Sequence, residues 1–153
     1  MKIFTHALAT TVGVQALRLH GGDIWLAYAF GVAIDVDHLI KAPFYLKYVG
    51  GLKDERGYYW RSSLQEPVAL LWIVPLCIFL HTWVPIPFFI AHLAMDYAVN
   101  FEKMPLYPYS NWVTRGWLNG IGDGVKELVL FVGLLCTSLA LLLARHPIGS
   151  MGR

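Results

Sequence analysis

The stretch Asp35-Val36-Asp37-His38 and its counterpart His92-Leu93-Ala94-Met95-Asp96 decide how this chain can fold. Each cluster of acids and histidines stands in a segment otherwise made of apolar residues. An ionised side chain at membrane depth costs about 3 kcal/mol or more unless it is paired, bound to a metal or facing water. Because several such side chains occur here, and all of them can ligate metals, the sequence predicts a metal site inside the apolar part of the protein.

The composition indicates an integral membrane protein. Of the 153 residues, 57% are hydrophobic and only 14% are charged, whereas a soluble domain has about 25% charged residues. The length predicts a single domain over residues 1–153. The formal charge of +2, without any basic run, argues against nucleic acid as a partner. We therefore expect membrane lipid to surround the chain, and the sequence predicts no oligomeric state.

Hydropathy and helix-breaking residues predict an all-α bundle of about five helices. Helices of roughly 17 to 20 residues match a hydrocarbon core of about 30 Å. The last helix has no candidate ligand, so we expect it to pack or to anchor the chain. The predicted helices cover about residues 3–19, 23–41, 66–83, 86–101 and 125–144.

The distribution of Lys and Arg predicts the orientation of such a bundle. If all five helices cross the membrane, only Arg18, Arg145 and Arg153 of the 12 basic residues lie on the face opposite the N-terminus. By the positive-inside rule, the N-terminus is then on the cytoplasmic side. We expect the protein to lie in the inner cell membrane. The same topology brings the acids and histidines of separate helices to the cytoplasmic end.

The spacing of the two clusters suits metal binding. Asp35 and His38 are three residues apart, and His92 and Asp96 are four apart, so each pair lies on one face of a helix. Carboxylate and imidazole ligands fit zinc best, with manganese as an alternative. One or two ions are expected, since His6 and Glu66 could either complete the first site or create a second one. The predicted ligands are His6, Asp35, His38, Glu66, His92 and Asp96.

Three residues are candidates for catalysis beside the metal. Arg61 can hold a phosphate through two parallel hydrogen bonds. Asp37 points away from Asp35 around the helix and is expected to bridge or to orient a ligating histidine. Glu66 is a candidate both for catalysis and for metal binding, although a carboxylate at the start of a helix is also favourable against the helix dipole. An ion-pair network with Arg61 or Lys41 is the structural alternative for the acidic clusters.

In the order and spacing of its motifs, the chain resembles the YdjM-like membrane-bound metal-dependent hydrolases. The resemblance covers about residues 6–112 and is carried by Thr5-His6, by the two clusters quoted above and by Leu106-Tyr107-Pro108-Tyr109-Ser110. It implies hydrolysis that depends on a bound metal. The segment Trp60-Arg61-Ser62-Ser63-Leu64-Gln65-Glu66 lacks the histidines usual in that family. Either Glu66 replaces them as an oxygen ligand, or the site holds fewer ions. The family is also distantly similar to the helical zinc-dependent phospholipase C enzymes, which is an analogy of fold.

The sequence therefore favours a membrane-bound metal-dependent hydrolase that acts on a phosphoester, such as a lipid head group. Two alternatives come from other functional classes. One is a divalent-cation transporter or sensor, since transporters also bind ions among helices at membrane depth. The other is a structural membrane subunit in which the metal only ties the helices together.

Overall fold

A computed structural model describes residues 3–36, 43, 64, 66–99, 102–103, 105–106, 109–110, 112–115 and 121–145. Three residues of the predicted site, Asp37, His38 and Arg61, lie outside this part of the chain.

The described residues form a helical protein, and the expected number of five α-helices is confirmed within them. The helices are α1 (Ile3–Leu17), α2 (Gly22–Gly31), α3 (Leu70–Phe79), α4 (Pro85–Val99) and α5 (Asp123–Arg145).

Short elements accompany the helices. A 3₁₀ turn at Ala33–Asp35 follows α2, and another at Pro67–Ala69 leads into α3. Between α4 and α5, β1 (Glu102–Lys103) pairs antiparallel with β2 (Thr114–Arg115). Helix prediction from hydropathy did not include this two-residue ladder.

The predicted helix over residues 23–41 is interrupted. α2 ends at Gly31, and Val32 leaves the helical conformation with φ −135° and ψ −54°. A glycine in a helix costs about 1 kcal/mol relative to alanine, which makes this position a weak point. Gly31 also lies against α1, where an added Cβ would come within 2.2 Å of the Thr10 hydroxyl oxygen. Close contact between the two helices therefore requires glycine where α2 ends.

Side-chain contacts show how the helices run relative to one another. The Thr5 hydroxyl donates to Glu127 at 3.1 Å, and the Ser138 hydroxyl donates to Gln15 at 3.0 Å, so α1 and α5 are parallel. α1 and α2 are antiparallel, because only residues 18–21 separate them in the chain, Thr10 meets the last residue of α2, and His6 at the start of α1 lies near Asp35 beyond α2. The start of α1, the end of α2 and the start of α5 therefore lie at one end of the bundle.

The apolar core lies between α2, α3 and α4. Phe89 and Ile73 are its largest fully buried members, and they pack with smaller residues that allow the helices to approach. This core holds α4, which carries His92, against α2. Its buried members are Ala27, Phe30, Ala69, Ile73, Cys77, Phe88, Phe89 and Leu93.

α5 differs from the other helices in its exposure. Among the described residues, Gly124–Arg145 is the helix that is long and apolar enough to cross a membrane, and almost none of it is buried inside the protein. A helix exposed to water normally carries polar residues on its outer face. Ile3–Leu17 and Pro67–Phe79 are also apolar but shorter. The large apolar side chains exposed on α5 are Val125, Leu128, Val129, Phe131, Val132, Leu135, Leu139, Leu142 and Leu143.

The exposed Cys136 on α5 provides a test of the membrane assignment, because Cys77, the other cysteine, is buried. In open membrane fragments, we expect Cys136 to resist a water-soluble maleimide until the protein is denatured, since lipid would cover α5. The Tyr109→Cys variant is the matched control, because Tyr109 is 80% exposed in the connection between α4 and α5. Mass spectrometry measures the labelled fraction at each cysteine. Rapid labelling of Cys136 in native membranes would show that α5 faces water.

The contact at Gly31 generates a second prediction. Gly31→Ala should destabilise the protein by about 1–3 kcal/mol, because the new methyl group overpacks against Thr10. Thr10→Ala in the same chain should restore part of this loss by removing the hydroxyl. Gly133→Ala is the control, since an added Cβ there meets nothing within 4 Å. Thermal unfolding followed by circular dichroism measures the effect. Equal stability of the Gly31 and Gly133 variants would contradict the close contact.

Candidate metal centre

Three of the predicted ligands meet at the end of the bundle where α2 stops. His6 comes from the first turns of α1, Asp35 from the 3₁₀ turn after α2, and His92 from the middle of α4. One donor atom from each lies within 4.8 Å of the other two. Both histidines are fully buried, and the side chain of Asp35 is 16% exposed. The predicted convergence of acids and imidazoles from separate helices is confirmed for these three residues.

A backbone hydrogen bond fixes the orientation of His92. Its Nδ1–H donates to the carbonyl oxygen of Gly31 at 3.1 Å. A neutral imidazole protonated at Nδ1 has its lone pair on Nε2. That nitrogen is buried, has no hydrogen-bond partner among the described residues, and lies 3.4 Å from Asp35 Oδ1. Two acceptor atoms thus face each other, an arrangement that a cation between them stabilises. Metal-binding histidines typically donate their second N–H to a carbonyl in this way.

His6 approaches the same carboxylate from the other side. Its Nε2 is 3.9 Å from Asp35 Oδ2 and 3.2 Å from Asp96 Oδ1. Its ring stacks on that of His92 with centroids 4.0 Å apart and planes inclined by 16°. Two positive charges at this distance repel by about 4 kcal/mol at an effective dielectric constant of about 20. A metal ion binds the neutral form of both rings, in which this repulsion is absent.

Asp96 contacts this group, and Glu66 is hydrogen-bonded to the same helix, α4, but neither belongs to the set of three. Asp96 is 5% exposed, and its carboxylate accepts a hydrogen bond from His6 Nε2. With its proton on Nε2, a neutral His6 has its lone pair on Nδ1, which is buried and has no hydrogen-bond partner among the described residues. Glu66, just before the 3₁₀ turn that leads into α3, is buried and accepts a hydrogen bond from the Tyr97 hydroxyl at 2.8 Å. The assignment of both residues as metal ligands stays a prediction. The ligand role of His38 and the catalytic roles of Asp37 and Arg61 also stay predictions.

Two features of the metal centre were not predicted from the sequence. The Gly31 carbonyl that holds His92 depends on where α2 ends, and hydropathy gave no signal for that end. α5, expected to pack or to anchor the chain, also adds charged residues to the same end of the bundle: Glu127 accepts a hydrogen bond from Thr5, the neighbour of His6, and Lys126 is only 4% exposed. The adjacent Lys126 and Glu127 in the first turns of an otherwise apolar helix were the available signal.

The donor set fits a divalent metal. Two imidazoles and one carboxylate occur in catalytic zinc sites, where water or substrate takes the fourth position. The same set with open positions also binds iron. Because Asp35 keeps part of its surface accessible, the arrangement leaves one side on which a further ligand can bind.

No family model, curated protein or solved structure matches the chain. The resemblance to the YdjM-like hydrolases therefore stays a prediction that rests on the motifs alone.

The geometry predicts which side chains control metal affinity. Purified wild-type protein should bind about one equivalent of zinc at this group, whereas His92→Ala and Asp35→Asn should weaken binding by more than about 100-fold. Even groups that only orient a ligand are worth about 10–100-fold in affinity. Equilibrium dialysis followed by elemental analysis measures the affinity.

His20→Ala is the matched control, because His20 is exposed and bonds to the backbone of Arg18 at the other end of α1. Zinc at 100 times its dissociation constant should also stabilise the wild-type protein by about 2.7 kcal/mol. Equal zinc affinity in the wild type, His92→Ala and His20→Ala would rule out this site.

Proposed function

We propose that the chain is a membrane-bound, metal-dependent hydrolase that acts on a phosphoester, such as a lipid head group, at the cytoplasmic membrane surface. The observation that carries the proposal is the buried Nε2 of His92, which lies 3.4 Å from the Asp35 carboxylate and has no hydrogen-bond partner among the described residues. Zinc is the proposed ion, and manganese is the alternative. One ion fits the set of three residues, and a second would use ligands from Glu66 and His38.

A divalent ion in this set would polarise a phosphoryl oxygen and make bound water acidic enough to act as a nucleophile near neutral pH. Hydrolysis then forms a bond between the water oxygen and phosphorus, breaks the ester P–O bond and returns one proton to the leaving alcohol. Asp96 holds the His6 ring through its Nε2, and the Gly31 carbonyl holds His92. These contacts fix both imidazoles before substrate arrives.

Other residues receive roles that extend this proposal. Arg61 binds the phosphate, where a guanidinium matches two phosphate oxygens. Asp37 and Glu66 orient ligands or accept protons close to the reacting water. The hydrogen bond from Tyr97 to Glu66 supports a position for Glu66 beside the site, since Tyr97 directly follows Asp96 on α4.

The membrane location rests on α5 and on the charge distribution. α5 is the described helix that can span a bilayer, and it begins at the end of the bundle that holds the candidate metal centre. The positive-inside rule places the N-terminus, and with it that end, on the cytoplasmic side. Substrate would then reach the site from the inner leaflet.

One observation favours a second function, that of a metal-tied structural subunit. The three donors come from α1, from the turn after α2 and from α4, so a bound ion would cross-link three elements. Structural zinc sites, however, usually have four protein ligands and no open position. The set of three with a partly exposed carboxylate fits catalysis better.

Hydrolysis in a defined bilayer tests the proposal. Zinc-loaded protein in phospholipid nanodiscs should release phosphate or a phosphorylated head group, detected by ³¹P NMR. His92→Ala and Asp35→Asn should reduce the rate by at least about 100-fold, in line with the loss of metal. A chelator should abolish turnover, and zinc or manganese should restore it.

His20→Ala should retain the wild-type rate of hydrolysis. If activity survives chelation, the metal mechanism is wrong. If zinc binds and raises the melting temperature but neither phospholipids nor soluble phosphoesters are turned over, the structural function replaces the proposed one.

A further inference from the structure

A narrow apolar cleft lies directly beside the candidate metal centre. Its volume is about 120 Å³, and it runs between α1 and α4. On α1 it is lined by Ala9, Gly13 and Leu17, which follow one another at intervals of four residues and so share one helix face. Phe88 and Ala91 line the facing side on α4. Small residues on both walls leave the space between the helices.

The inner wall of the cleft belongs to the metal centre. His92 and Gly31, which are joined by the hydrogen bond from Nδ1 to the carbonyl, both line it. His92 therefore faces the Asp35 carboxylate on one side and lines the apolar cleft on another. A molecule that occupies both would need a polar group joined directly to an apolar one.

The outer side of the cleft is open to the surface. Leu17 is 57% exposed, and Ala91 and Pro87 are also exposed. If α5 lies in a bilayer, the neighbouring α1 faces the same apolar surroundings. A chain can then enter from the side and need not pass through water.

The volume limits what the cleft can hold. An engineered apolar cavity of about 150 Å³ binds benzene, so a space of 120 Å³ accepts a few carbon atoms and no bulky ring system. The apolar lining around Gly13 and Ala91 makes ordered water a poor occupant, since buried water needs two to four polar partners.

We infer that this cleft binds the first carbons of an alkyl chain whose phosphate group reaches the metal centre, so that the substrate class is an alkyl or lipid phosphoester. The inference rests on the proposed function and specifies its substrate. His92 both lines the cleft and belongs to the metal centre, so the phosphate would lie on its Asp35 side and the chain between Ala9 and Ala91.

Binding of a homologous series of ligands tests the inference. Zinc-loaded full-length protein in nanodiscs is titrated with inorganic phosphate and with methyl, ethyl, butyl and hexyl phosphate, and affinity is measured by calorimetry. Each added carbon that enters the cleft should tighten binding about fourfold, the equivalent of about 0.8 kcal/mol per buried methylene. The gain should stop after a few carbons, when the cleft is filled.

Ala91→Phe fills the cleft without removing a metal ligand. We expect it to keep zinc and inorganic phosphate affinity while losing the dependence on chain length. Ile90→Phe is the matched control, because Ile90 is 48% exposed on the same helix and does not line the cleft. Ala9→Leu provides a second filling variant from α1, and it should act like Ala91→Phe.

Several outcomes would overturn the inference. If affinity depends on chain length equally in Ala91→Phe and Ile90→Phe, the dependence comes from partition of the ligands into the bilayer and not from the cleft. A change of oligomeric state in Ala91→Phe with chain-length dependence intact would assign the cleft to a second copy of the chain.

Failure of the proposed function gives a different result. Hydrolysis without any effect of chain length removes only the cleft assignment. If neither phosphate nor alkyl phosphates bind the wild type, the phosphoester function is wrong. Binding of butanol, measured by saturation-transfer NMR in the wild type and Ala91→Phe, then tests the apolar cleft by itself, and equal signals in both would overturn it.

Discussion

The structure depends on one buried polar group, in which the Asp35 carboxylate and the imidazoles of His6 and His92 need a proton or a cation between them. His6 and His92 stack at 4.0 Å, and the Asp35 carboxylate presents one oxygen to each Nε2. A buried polar atom without a partner costs about 1–3 kcal/mol, so this group must be satisfied by a proton or a cation if the bundle is to be stable. The end of α2 at Gly31 supplies the carbonyl that holds His92, and Asp96 supplies the carboxylate that holds His6. The helix ends and their contacts are arranged around this one group.

Close helix packing brings the group together from distant parts of the chain. Gly31 allows α2 to touch Thr10, and Gly13 allows the ring of Phe88 to lie against α1, where an added Cβ would come within 2.7 Å of it. Small residues let helices approach each other closely. Two other small residues, Ala9 and Ala91, line the cleft beside His92. Packing that builds the polar site therefore also builds the apolar one.

Part of this arrangement could be predicted from the sequence, because burying an acid or a histidine in an apolar segment has a high energetic cost. Acids and histidines in apolar segments are costly unless they meet, so Asp35 and His92 pointed to a shared site before any contact was known. The break after Gly31 could not be predicted from hydropathy, since Val32 is apolar like its neighbours and the close contact of Gly31 with Thr10 is tertiary. The parallel contact between α5 and α1, with its hydrogen bond from Thr5 to Glu127, is likewise tertiary, and no local pattern encodes it.

The asymmetry of the site argues for a chemical function over a structural one. An ion that only ties helices together is best held by four protein ligands in a closed shell. Here the histidines are sealed, Asp35 keeps some exposure, and the apolar cleft beside His92 opens at the surface. Close packing normally fills such space, because atoms that line a void lose dispersion contacts. A cleft kept open beside a partly open ligand set is what a site needs if a molecule with a polar and an apolar part must enter it and leave again.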